Sequence, residues 1–341
     1  MDILLHYTDE YIFDSVYSYL LPQSPVPSSS RTSTSPDLYN KTVLPSPYTQ
    51  STTYHPPDLS NDLLVTGSIW ERDNIYRQGI SIFTIALLGA YVMYFLFCSI
   101  SYFFFYDRRL EHHPKFLKNQ IRKEIKSSLI AAPVIDVITL PWFLGEVRGY
   151  SKLYEDVSDY GYAYLAASCL MFLLFTDLAI YWVHRLEHHP LIYKHIHKPH
   201  HKWIVPTPYA ALAFHPLDGY AQSLPYHIFP FLFPLHKYAY LGLFVFVQFW
   251  TILIHDGDMI SGHFLERYIN SPAHHTLHHL YFTVNYGQYF TWADSFWDSY
   301  RSPEDKLDPI HASIENMKKK GLLDEAGNPI SESKKSDKKD L

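Results

Sequence analysis

Residues Tyr160–His201 read YGYAYLAASCLMFLLFTDLAIYWVHRLEHHPLIYKHIHKPHH. The first half, Tyr160 to Val183, is apolar and exceeds the roughly 20 residues that a bilayer crossing takes. The second half starts without a break at His184, and seven of the eighteen residues from His184 to His201 are histidine. An apolar span that delivers imidazoles at its own end predicts an all-α, polytopic membrane protein. About four transmembrane helices would carry a cytosolic, helical, histidine-rich cap that binds two metals.

Working outward, a second burst, HHTLHH, occupies His274–His279, with His255 between the two. The repeating patterns are His184-x3-His188-His189, His197-x2-His200-His201 and His275-x2-His278-His279. Spacings of three and four put side chains on one face of a helix, and imidazole is the commonest metal ligand near neutral pH. One histidine pair is ordinarily a solvated polar patch. Three such patterns gathered in one place would incur desolvation and like-charge repulsion unless a cation sat among them. With His255 they offer about twice what a single tetrahedral site takes, so two metals are the economical reading. Nitrogen ligands suit iron, zinc and copper alike. A site at the lipid boundary favours oxidation of an unactivated lipid C–H bond, which needs redox iron and dioxygen.

The 341 residues carry a formal charge of -6, so no global basic field points to nucleic acid. Mean hydropathy is near zero, an average that hides polar ends and apolar blocks. Aromatics at 17 % suit an interface-rich membrane protein. Cys98 and Cys169 are the two cysteines, which excludes a disulfide framework and a cysteine-type zinc site.

Three regions are expected: an N-terminal lumenal, largely disordered segment (1–66), a membrane-embedded domain (67–310) and a flexible cytosolic tail (311–341). Ile3, Leu4, Tyr7, Tyr11 and Ile12 would share one helical face on a membrane surface. Leu21 to Asn61 is a Pro/Ser/Thr-rich linker with a sequon at Asn40-Lys41-Thr42. Gly79–Tyr106 is an uncharged span followed by seven basic residues, Arg108 to Lys126, which places the N-terminus in the lumen and this loop in the cytosol. Leu129–Gly145, interrupted by Pro133, Asp136 and Pro141, reads as a kinked span or a re-entrant helix. Ser223–Leu235 and Tyr238–Ile254 form a hairpin that returns the second histidine burst to the side of the first. Lys338-Lys339 near the terminus has the form of a dilysine retrieval signal, read from the cytosol.

Asp177, Tyr181, His184 and His188 follow at steps of four, three and four, a polar stripe down the span. Asp177 is a candidate carboxylate for fixing a ligating imidazole in one tautomer, with a helix–helix hydrogen bond as the alternative. His274 points away from its neighbour His275 but aligns with His278, and it too is a candidate supporting group. No catalytic residue is expected beyond the metal ligands. Phe214, Tyr226, Phe229, Phe231 and Trp250 are candidates for lining an apolar pocket, and His227 and His215 read as supports of the metal ligands or as structural.

HRLEHH, HKPHH and HTLHH resemble the three histidine boxes of the membrane fatty acid hydroxylase and sterol desaturase superfamily. The run HKPHHKWIVPTPYAALAFHPLD from His197, SLPYHIFPF from Ser223, WTILIHDG from Trp250 and HHLYFTVNYGQYFTWAD from His278 are similar to its fungal sterol C5(6)-desaturase branch. The likeness covers about residues 70 to 310.

The resemblance implies a four-crossing enzyme of the endoplasmic reticulum membrane, N-terminus lumenal and C-terminus cytosolic, with a di-iron site on the cytosolic face. Its activity would be insertion of the 5,6 double bond into a Δ7-sterol such as episterol, on the route to ergosterol. Dioxygen would be consumed, with electrons from NAD(P)H through cytochrome b5 reductase and cytochrome b5. The iron ligands carried over are His184, His188, His189, His197, His200, His201, His275, His278 and His279, with either His188 or His189 serving in the first box. His255 in IHDG matches a histidine that the superfamily places between its second and third boxes, while Met259 stands where some hydroxylases have another. Alternatives are a sterol C4-methyl oxidase or lipid hydroxylase of the same superfamily and, more distantly, a membrane zinc hydrolase or receptor. A transporter would hold its ligands at mid-bilayer, whereas these boxes lie outside the expected spans.

Overall fold

Helices make up nearly all the regular structure of the computed structural model, which describes residues 1–23 and 67–330. The expectations for most of the Pro/Ser/Thr-rich linker, the Asn40 sequon and the Lys338-Lys339 signal fall outside the described residues. Asp2–Thr8 (α1) and Asp14–Leu20 (α2) are joined by a π-helical turn, Asp9–Phe13, into one short rod. The rod packs on the protein by the side that carries Leu5, which was not among the residues expected to face a membrane. Leu5 is fully buried with Ile82, Phe143 and Val147, whereas Tyr7, Tyr11 and Ile12 are exposed. A buried ion pair, Arg77 to Asp9 at 2.8 Å, fixes its middle.

Ile75–Phe104 (α3) is the first long apolar helix. Asn74 caps it, its Oδ1 accepting from the amides of Tyr76 and Arg77 at 3.0 and 3.2 Å. Thirty residues extend about 45 Å, beyond the hydrocarbon thickness of a bilayer. Only 17 % of its most apolar window is buried inside the protein. Leu88, Val92, Leu96 and Phe103 face outward, as lipid-facing side chains do.

Gln120–Val147 (α4), expected as a kinked span or a re-entrant helix, is one continuous helix of 28 residues, long and apolar enough to cross a membrane. Proline at 133 removes the amide that the carbonyl of Leu129 would have accepted from. Tyr91 on α3 takes its place, its hydroxyl donating to that carbonyl at 3.1 Å. Gly161–Glu187 (α5) is the third long apolar helix and ends in the first histidine pattern. Pro190–Tyr193 (α6) is a single turn after it.

Pro216–Leu232 (α7) and Lys237–Leu253 (α8) form the expected hairpin. α8 is a shorter apolar helix. A pair of two-residue parallel strands, Leu153–Tyr154 (β1) and Leu235–His236 (β2), ties the hairpin turn to the α4–α5 connection. Phe172, Phe229, Tyr226, Tyr240 and Val247 pack α5, α7 and α8 together. Pro272–Tyr281 (α9), Trp292–Phe296 (α10) and Pro309–Lys319 (α11) complete the chain beyond the bundle. The protein is thus a multi-pass membrane protein, mostly helical, with three long apolar helices and a shorter one.

Candidate metal centre

Nine imidazoles meet at the bundle end where α5 and α8 finish and α7 begins. They sort into two groups, each offering one nitrogen per residue within 4.8 Å of the others. His184, His188, His197, His201 and His278 form one; His200, His255, His275 and His279 form the other. Each is delivered by a short helical repeat. His184 and His188 are one turn apart at the end of α5, and His275 and His279 one turn apart on α9. His197–His201 forms a single turn, the carbonyl of His197 accepting from the amides of His200 and His201. His255 follows directly on α8.

Five of the nine have their Nδ1–H committed. His184 donates to the carbonyl of Tyr286 (3.0 Å), His255 to Thr251 (2.7 Å), His278 to Val284 (2.7 Å) and His279 to Trp203 (3.0 Å). His197 Nδ1 lies 2.8 Å from the Asp218 carboxylate. In a neutral imidazole, a proton on Nδ1 leaves a lone pair on Nε2. The Nε2 atoms of His184 and His197, both committed at Nδ1, face each other 3.2 Å apart, and in the other group the Nε2 of His275 lies 3.0 and 3.1 Å from those of His255 and His279. Facing lone pairs repel, and a cation between them removes the conflict. The donor set therefore fits metal ions, one per group.

Electrostatics agree. Burial first, then the neighbouring imidazoles, hold His188, His200, His201, His275, His278 and His279 well below the ordinary histidine range. Burial lowers His255 to about 4, against the opposing hydrogen bond to the Thr251 carbonyl. Neutral nitrogen is the form that coordinates metal.

The remaining expected residues lie elsewhere. His189 is outside both groups; it caps α6, its Nδ1 accepting from the amide of Leu191 at 3.4 Å. His274 turns away into a capping box with Ser271, whose amide is 3.2 Å from its Nδ1. Asp177 holds no imidazole; it takes the alternative role, a hydrogen bond between helices, here from α5 to Trp292 at the start of α10. Its carboxylate accepts from the amides of Tyr289 and Phe290 (2.7 and 3.1 Å) and from Trp292 Nε1 (2.9 Å). It thereby anchors the loop that presents the Tyr286 carbonyl to His184. Asp294 does the same from the loop's far side, accepting from the amides of Tyr286 and Gly287, both at 2.8 Å.

Sequence reasoning did not single out Asp218. It lies 21 residues from His197, outside any helical repeat, and only the fold joins them. Glu187 approaches the same ring at 3.8 Å. Adjacency to the first pattern was its only signal.

A cavity of about 450 Å³ opens from this centre into the bundle, within the size range of small-molecule sites. His184, His200, His255 and His275 form one end and Asp2, Ile3 and Leu4 the other. Phe214 and Tyr226 line it as expected; Phe229 and Trp250 pack elsewhere, and Phe231 lies against Trp142 and Gly145. His227, read as a support of the metal ligands or as structural, joins the lining, and its Nδ1 has no partner among the described residues.

Residues 169–299 match the fatty acid hydroxylase family. Over 339 residues the chain is 57 % identical to a Delta(7)-sterol 5(6)-desaturase of Gibberella zeae, spanning 98 % of this chain and 99 % of that one. The chain belongs to the Δ7-sterol 5(6)-desaturase family. A Delta(7)-sterol 5(6)-desaturase of Aspergillus fumigatus is 52 % identical over 354 residues, covering 98 % and 99 % of the two chains. Within the family's wider reach, the lathosterol oxidase of Homo sapiens is 52 % identical over 236 residues, or 69 % of this chain and 79 % of its own. No solved structure matches. The histidine clusters are those of a metal centre of the hydroxylase family.

Proposed function

We propose that the chain is a sterol desaturase that places the 5,6 double bond in a Δ7-sterol on the route to ergosterol, with dioxygen as oxidant. The observation that carries this reading is an apolar cavity with imidazoles of both histidine groups at its end, in a chain 57 % identical over nearly its whole length to a Δ7-sterol 5(6)-desaturase. The nine converging histidines would hold two iron ions, which supply the dioxygen chemistry needed to break unactivated C–H bonds.

The protein's own share is positioning. Backbone carbonyls and Asp218 fix the imidazole rings before metal or substrate arrives, so little reorganisation is left for the reaction. The apolar walls keep water from the reacting edge of the sterol. The fit must be close, since a displacement of about 1 Å costs on the order of a hundredfold in rate. Electrons would come from NAD(P)H through cytochrome b5 reductase and cytochrome b5, reaching a centre on the cytosolic face of the endoplasmic reticulum membrane. The basic run Arg108 to Lys126 after α3 supports that orientation.

The test is microsomes from a strain lacking its own C5-desaturase, supplied with NADH, oxygen and a Δ7-sterol. Wild type is expected to make the 5,7-diene, and His278→Ala, inserted at normal level, to make none. Oxidation at the C4 methyl group, with the 5,6 bond left saturated, would instead support the C4-methyl oxidase reading.

A further inference from the structure

The cavity has its metal-binding histidines at one end only. Its wall along α4 runs from Ser128 to Phe143, fifteen residues or about 22 Å of helix. A Δ7-sterol carries the 5,6 bond in the ring next to the one bearing its hydroxyl, far from the C17 side chain. Seating C5 and C6 beside the histidines therefore sends the side chain down the cavity toward Asp2, Ile3 and Leu4.

The segment waiting there is fixed. Leu5 is buried among Ile82, Phe143 and Val147, Asp2 pairs with Lys237 of α8 at 2.7 Å, and Asp9 pairs with Arg77 of α3. The Tyr17 hydroxyl adds a contact with Ser81 at 3.2 Å. α1 is thus clamped across the ends of α3, α4 and α8, with Ile3 and Leu4 turned to the cavity.

We propose that α1 is the stopper of the sterol cavity: Ile3 and Leu4 meet the end of the sterol side chain and determine which side chains are accepted. This rests on the sterol reading above. These are specificity-determining residues, remote from the reacting bond, so they act on the choice between sterols rather than on the chemistry. One methylene in an apolar pocket is worth about tenfold or more in discrimination.

Two measurements on the full chain test it. In microsomes, kcat/KM is compared for two Δ7-sterols that differ only by a methylene group at C24. Leu4→Ala is expected to move the ratio about tenfold toward the C24-substituted sterol, and Leu4→Trp to move it the other way. A helix with only a structural role would lower both rates together and leave the ratio unchanged, which overturns the proposal. Independently of turnover, a Δ7-sterol with a diazirine at its side-chain terminus should label residues 1–20 of wild type, in competition with unlabelled sterol. Labelling confined to other segments also overturns it. Wild type that labels at 1–20 yet makes no diene would sink the desaturase reading and leave the stopper standing.

Discussion

His188 and His189 are neighbours in the chain with opposite surroundings. The Nε2 of His188 lies 3.1 and 3.2 Å from those of His201 and His278, whereas His189 is spent on capping α6. We expect His188→Ala to lose metal and activity together. His189→Ala should keep its metal and lose only the cap, about 0.5–2 kcal/mol of local stability. Metal content of the two purified variants decides it; equal losses would contradict the assignment. The histidine spacing marked both residues because three- and four-residue steps from His184 reach His188 on one helical face, and His189 rides along as its neighbour. What spacing cannot reveal is where a helix stops. α5 ends at Glu187, and His189 becomes the cap of the turn that follows. Asp218 was hidden for a related reason: its partnership with His197 depends on how α7 docks, which no local pattern encodes.

Elements divide their ligands between the two groups in a way that a single helical face does not suggest. On α9, His275 and His279 serve one group and His278 the other, so this helix lies between the two positions. The turn at His197–His201 does likewise with its adjacent His200 and His201. Legible from sequence were two of the three long spans and the α7–α8 hairpin, because hydrophobic runs of that length have few other uses. The continuity of α4 through two prolines was less so, because it depends on Tyr91 reaching across from α3. Asp177 was recognised as costly in a span, but its partners lie more than a hundred residues away, in the loop before α10 and at the first residue of α10. That loop is tightly built: a Cβ on Gly287 would come within 2.4 Å of the Phe290 carbonyl oxygen. Asp177→Ala leaves two amides and an indole N–H without their acceptor, at about 1–3 kcal/mol for each buried orphan. We expect this variant to become sensitive to proteolysis between Val284 and Trp292 and to bind metal more weakly, with Asp177→Asn milder. An Ala variant as resistant as wild type would show that the loop stands without the carboxylate.

At the scale of the molecule, the fold brings histidines from the end of α5, the following turn, the end of α8 and α9 to one end of the bundle. Sequence separations of up to 95 residues, His184 to His279, are closed by the hairpin that returns the chain to its starting side. The same arrangement leaves the cavity bounded by metal ligands at one end and by the N-terminal helix at the other. Packing this many neutral imidazoles with facing lone pairs into a dry interior is unfavourable for the protein alone and becomes favourable when cations are bound. The most direct measurement is therefore total metal per chain, iron and zinc counted together, in protein purified in detergent under anaerobic conditions with iron supplied. Two metals per wild-type chain are predicted, falling to one when His275 and His279 are both replaced by alanine. A wild-type chain that holds one metal, or none, would contradict the two-site centre.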